Sequence, residues 1–91
     1  MATTKKTMST GEAVLLVERL MIAAFNCPRD PRSDAYVLGV RELLKCKAMG
    51  VKFHCRYKPG TAEADAFYSG SDEGNAIWRR HLESEVAHGN G

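Results

Sequence analysis

VKFHCRYKPG, residues 51–60, alternates an apolar or sulfur-bearing side chain with a basic or imidazole one for eight residues, then stops at Pro-Gly. In an extended chain Val51, Phe53, Cys55 and Tyr57 share one side, and Lys52, His54, Arg56 and Lys58 the other. Such alternation is a strand signal. Whether a strand forms decides the fold class, because the 91-residue chain offers no second strand to pair with it. A solitary strand leaves its backbone amides without partners. The segment therefore reads as an extended connector between helices, with strand pairing across a dimer as the alternative.

On its N-terminal side, Asp34 to Met49 has helical spacing, with Tyr36, Val37, Val40, Leu43, Leu44 and Ala48 on one stripe and Gly50 placed as a left-handed C-cap. Arg41, Lys45 and Lys47 lie off that stripe. Gly39 inside the helix costs about 1 kcal/mol relative to alanine, which points to close contact with another backbone. On the C-terminal side, Thr61 opens a helix with Glu63 and Asp65 in its first turn, where acids offset the macrodipole. The spacing of Ala66, Phe67, Gly70, Gly74, Ile77, Trp78, His81 and Leu82 continues through both glycines. This predicts one helix over about 62–85; the competing reading breaks it at Gly70 and restarts at Ser71.

Farther out, Ser9 and Glu12 fit a capping box that starts a helix over about 10–26. Its stripe is drawn through Val14, Val17, Met21, Ala24 and Phe25, widened by Leu16 and Leu20, with Glu18 and Arg19 on the wet side. Leu15 and Ile22 project between those charges, so the helix is expected to be either central in the core or partly covered by a second copy of the chain or another protein. PRDPRS, residues 28–33, is the turn into the next helix. The expectation is an all-α domain over 9–86 with three helices, a flexible arm at 1–8 and a flexible tail at 87–91.

Composition narrows the function classes. A hydrophobic content of 44% with 26% charged residues is globular. The formal charge of +2 is too small to identify a nucleic-acid binder unaided, and far from the acidity of a DNA mimic. Cys27, Cys46 and Cys55 are odd in number and widely spaced, as in reduced cytosolic proteins. The apolar run after the first lysines is interrupted by Glu18 and Arg19 and is too short for a bilayer span, so a cytoplasmic protein with no membrane partner is expected.

His54-Cys55 suggests a nucleophile beside its base, but neighbours in an extended segment face apart. Cys27, Cys46, His54, Cys55 and His81 lack the close paired spacing of zinc ligands, and there is no phosphate-binding glycine loop. No enzyme, cofactor, metal or small-molecule substrate is expected. Charge distribution says more. Residues 29–58 carry eight basic side chains against three acids, whereas 61–75 carry Glu63, Asp65, Asp72 and Glu73 with no base.

CRYKPGTAEADAFYSGSDEG, residues 55–74, resembles the ribosome modulation factor family and its phage and plasmid relatives. Tyr36 and Gly39 match that family's Tyr-x-x-Gly segment. Cys55 and Tyr57 hold two positions of its Cys-Pro-Tyr connector, and Phe67, Gly70 and Gly74 follow at matching spacing in the last helix. Arg56 stands where the family has proline, Phe67 replaces a tryptophan, and Ser71 occupies the place of a second one. The resemblance, which covers roughly residues 34–80, implies two helices joined by an extended connector, in a protein that binds ribosomal RNA and silences ribosomes without catalysis. Arg41, Lys45, Lys47, Lys52, Arg56 and Lys58 would then contact phosphates, and Tyr57, with Phe53, would stack or orient the connector. The alternative is a small phage-type inhibitor, such as an anti-CRISPR protein, docking on a host protein or ribonucleoprotein through Leu15 and Ile22.

Overall fold

Ser9 accepts a hydrogen bond from the Glu12 amide through its hydroxyl (3.2 Å), and Glu12 returns one from the Ser9 amide (3.0 Å). This capping box starts α1, Thr10–Phe25. Ser33 caps α2, Asp34–Met49, by accepting from the Tyr36 amide, and Gly50 closes it at φ 75°, a left-handed conformation that costs glycine least. Thr61 caps α3, Ala62–Gly89, by accepting from the Ala64 amide (3.1 Å) while its hydroxyl donates to the Lys58 carbonyl (2.7 Å). The computed structural model describes residues 9–29 and 31–89, with backbone only over 86–89. The expected arm at 1–8 and the end of the expected tail, residues 90 and 91, lie outside the described residues.

The fold is all-α, with three helices and no strand among the described residues. α3 is unbroken at Gly70-Ser71 and continues past Glu85 to Gly89, because Val86 and Ala87 contain no helix breaker. The buried Ser71 hydroxyl donates to the Tyr68 carbonyl one turn back, so it serves inside the helix instead of capping a new one.

α2 is the central element. Its N-terminal turn and that of α3 lie at the same end of the molecule, where Ser33 and Ala35 line one shallow pocket with Ala62 and Ala66. The two helices therefore run in the same sense, and residues 50–61 lead the chain back along them. They cross backbone to backbone. A Cβ on Gly39 would sit 2.0 Å from the Phe67 carbonyl oxygen, and one on Gly70 would sit 2.0 Å from that of Tyr36. Each glycine thus turns a Cα–H toward the other helix's carbonyl, a weak but recurrent helix–helix contact. Beyond the crossing, Val40, Leu44 and Ile77 close a core with Val17 and Met21 of α1. Burying side chains of this size stabilises the fold by about 1.5–3 kcal/mol each.

α1 buries Leu16, Val17 and Met21 of the expected stripe and packs Leu20, Ala24 and Phe25 against the core, but Ala13 is buried at its edge in place of Val14, which is 43% exposed. A helix apolar nearly all round has no sharp periodic maximum, so its rotation is set by which side chains fit α2. Leu82, which extends the α3 stripe, is also exposed.

The turn after α1 is tied to α3 by an ionic joint. Arg29 donates from both terminal nitrogens to the Glu73 carboxylate (3.0 Å each) and from one of them to the Ala24 carbonyl (2.8 Å). The Tyr36 hydroxyl donates to the same carboxylate at 2.6 Å. Arg29 also lies over the Phe25 ring, and Arg32 over the Tyr36 ring, each 4.7 Å from the centroid. The Arg29 hydrogen bond, with a smaller contribution from Tyr36, holds the Glu73 carboxyl below the usual range against the opposing effect of burial. In the unfolded chain Glu73 takes up its proton near the ordinary carboxylate value, whereas the folded chain resists protonation to lower pH. Its contribution is thus complete above about pH 4.3 and is lost as pH falls through the folded value. Urea midpoints measured across the acid range should fall less steeply in Glu73→Gln than in the unsubstituted chain. Equal slopes would show that the joint adds nothing.

Candidate nucleic-acid interface

Gly50 to Thr61 is neither helix nor strand, and its burial follows the alternation in its sequence. Phe53, Cys55 and Tyr57 are half-buried, while Lys52, His54, Arg56 and Lys58 are exposed. Val51 departs from the pattern by being exposed, as the first residue after the helix cap. Phe67, fully buried on α3, anchors the segment. Its ring centroid lies 5.3 Å from that of Phe53 and 6.0 Å from that of Tyr57, with the Tyr57 ring edge-on. The Cys55 thiol donates to the Tyr57 carbonyl at 3.7 Å, a contact within the connector itself. These three inward side chains hold the backbone so that the four polar ones stand outward.

The basic side chains do not form one equivalent set. Arg41 is ion-paired with Glu18 of α1, and Lys45 with Glu42 one turn back on α2 (3.3 Å). A paired cation must give up a carboxylate before it takes a phosphate, so it adds little net charge to an interface. Lys47, Lys52, Arg56 and Lys58 are exposed, and no carboxylate among the described residues lies within ion-pair distance of them. Tyr57 packs against Phe67 as an anchor. The charged base of the acidic stretch on α3 is also smaller than its sequence suggests, since Glu73 is held by Arg29.

Tyr68 is a site residue that the periodicity did not single out. It follows Phe67 by one position on the helix, about 100° off the buried stripe, and is 52% exposed. Its ring stands edge-on to Phe67 (5.6 Å, 88° between planes) and to Phe53 (6.4 Å, 62°). Cys55 beside it, through its charge when ionised and then a hydrogen bond, raises the Tyr68 phenol above its usual value. The pair of adjacent aromatics at 67 and 68 was the available signal, since only one of two helical neighbours can face the core.

Family models, curated proteins and solved structures give no match to this chain. The residues behind the resemblance to ribosome modulation factors nevertheless have a definite geometry here. Tyr36-x-x-Gly39 and Phe67-x-x-Gly70 face each other across the helix crossing, each glycine against the other motif's aromatic residue.

Elsewhere, Leu15 and Ile22 are 68% and 58% exposed and line an open groove with Leu16 and Arg19 of α1 and His81 and Glu85 of α3. No group of three or more His, Cys, Asp or Glu among the described residues is placed to hold a metal ion. Among the same residues no helix is long and apolar enough to cross a membrane.

Proposed function

We propose that this chain is a non-catalytic binding protein of ribosome modulation factor type, which holds the RNA of a ribonucleoprotein against its connector and represses it. The observation that carries this reading is the outward row of Lys52, Arg56 and Lys58, without carboxylate partners and spaced by a backbone that Phe53, Cys55 and Tyr57 fasten to Phe67. Lys47 is the fourth exposed cation, and the exposed His54 lies in the same outward row.

The ion pairs of Arg41 and Lys45 reduce the expected phosphate contacts from six to four. Binding to ribosomes, followed by co-sedimentation over a range of salt, should then fall with a log–log slope of about −3. The triple variant Lys52→Ala/Arg56→Ala/Lys58→Ala should flatten that slope to about −1, since one contact is left. Binding that ignores salt, or a slope that the triple variant leaves unchanged, removes RNA from the proposal.

A second reading is favoured by Leu15 and Ile22, whose exposure suits an inhibitor docked on a host protein or a second copy of the chain. In the same experiment it predicts the opposite pattern: capture of one nuclease-resistant protein complex, or self-association, that Leu15→Glu abolishes and the triple variant does not.

A further inference from the structure

The geometry points to a more specific ligand than a generic polyanion: we propose that Tyr68 is a stacking platform for an unpaired base, so that the connector takes single-stranded nucleic acid. The inference rests on the reading of the connector as a polyanion-binding edge and adds what the polyanion must carry. Among the Phe, Tyr and Trp side chains of the described residues Tyr68 is the one exposed; Phe25, Tyr36, Phe53, Tyr57 and Trp78 are half-buried and Phe67 is buried. It is also next to the basic row. Its ring lies 6.4 Å from that of Phe53, whose chain neighbours Lys52 and His54 are both exposed.

Two features make this ring a platform instead of a loose surface side chain. Phe67 and Phe53 both pack against it with their rings at steep angles to it, which limits the positions the ring can take before a ligand arrives. The phenol, which Cys55 holds above its usual value, is uncharged at neutral pH, so the ring brings no negative charge of its own to a phosphate backbone. An aromatic face beside a row of cations is the pairing that single-strand binders use, with rings under bases and cations along phosphates. In a duplex the bases are stacked on one another and offer no free face to a lone surface ring.

The test is fluorescence anisotropy with labelled oligouridylate, oligothymidylate of equal length, an RNA duplex and base-free polyphosphate. The unsubstituted chain should bind both single strands more tightly than the duplex or polyphosphate. A preference of uridylate over thymidylate would identify RNA as the source, and equal binding would extend the site to single-stranded DNA. Tyr68→Phe should retain the affinity. Tyr68→Leu, which keeps an apolar side chain against Phe53 and Phe67, should lose roughly 5- to 150-fold on single strands and nothing on polyphosphate. Equal losses on all four ligands would make Tyr68 a brace for the connector and overturn the stacking role. Binding to all four that Tyr68→Leu leaves unchanged would overturn stacking while leaving the polyanion edge intact. Failure to bind any of them would overturn both.

Discussion

Gly70→Ala is expected to lower the thermal midpoint by at least roughly 12 °C, corresponding to a loss of about 3 kcal/mol or more. The added methyl would lie 2.0 Å from the Tyr36 carbonyl oxygen and 2.9 Å from its carbon. Both atoms belong to the backbone of a helix, which cannot swing aside as a side chain can. The helices must part instead, and the packing of Phe67, Val40, Leu44 and Ile77 loosens together. Gly39→Ala should behave alike, since its methyl would meet the Phe67 carbonyl at the same distance. The double variant should fall short of the sum, because helices separated for one methyl already have room for the other. Gly74 and Gly11 are the controls. The atoms nearest a methyl at Gly74 belong to the Leu43 side chain, at 3.0–3.2 Å, and a change within about 1 kcal/mol is expected. One at Gly11 meets nothing within 4 Å, so the helix propensity of alanine should show as a gain of up to about 1 kcal/mol. A Gly70→Ala protein as stable as the Gly11→Ala one would mean that the helices do not cross there.

Phe67→Ala should cost about 3–5 kcal/mol, the usual range for removing a buried phenyl ring. That is a large part of the stability expected for a chain of this length, roughly 5–14 kcal/mol. Its effect should also be directional. Phe67 is the shared partner of Phe53, Tyr57 and Tyr68, so its loss releases the connector before it opens the core formed by Val17, Leu44 and Ile77. The milder Phe67→Leu, which keeps most of the volume, isolates this consequence in a folded protein. Thiol labelling reports it: Cys55 on the connector should react faster in Phe67→Leu, while the already exposed Cys27 keeps its rate. Unchanged Cys55 labelling would show that the connector is held by something other than this ring.

The helices were legible in the sequence because their signals are local. Ser9 with Glu12, Thr61 before its acids, and Gly50 after Met49 each act within one turn of the chain. The glycines were legible in part. Gly39 inside a helix implied a close backbone neighbour, and the spacing carried through Gly70, but nothing local said that each glycine faces the other's aromatic residue. The rotation of α1 was legible through Leu16, Val17 and Met21, but not at the edge where Val14 and Ala13 compete. With apolar residues around most of its circumference, it could present Val14 or Ala13 to the core, and only the fit against α2 selects Ala13. The long-range ion pairs were missed for a related reason. Arg29 and Glu73, or Glu18 and Arg41, become neighbours only once the helices are in register, so Arg41 read as a free cation and Tyr36 as a plain apolar position. At the candidate interface, alternation separated the anchoring side chains of the connector from the exposed ones, whereas Tyr68 lay in a helix and outside that pattern.

The shared direction of α2 and α3 has a consequence for the order in which the protein can fold. α1 and α2 meet across a short turn, so their contact is local and can form early. The α2–α3 crossing joins residues some thirty positions apart, and closing a loop of that length costs about 3 kcal/mol before any contact repays it. Glycines that each meet the other helix's backbone offer no long side chain to catch a passing helix, so α3 gains little until it is nearly seated. The connector has no anchor until Phe67 arrives with α3. Its cations are all synthesised before that helix is, yet they have no alignment until it docks. A chain truncated before α3 would carry every charge of the basic edge and none of its spacing.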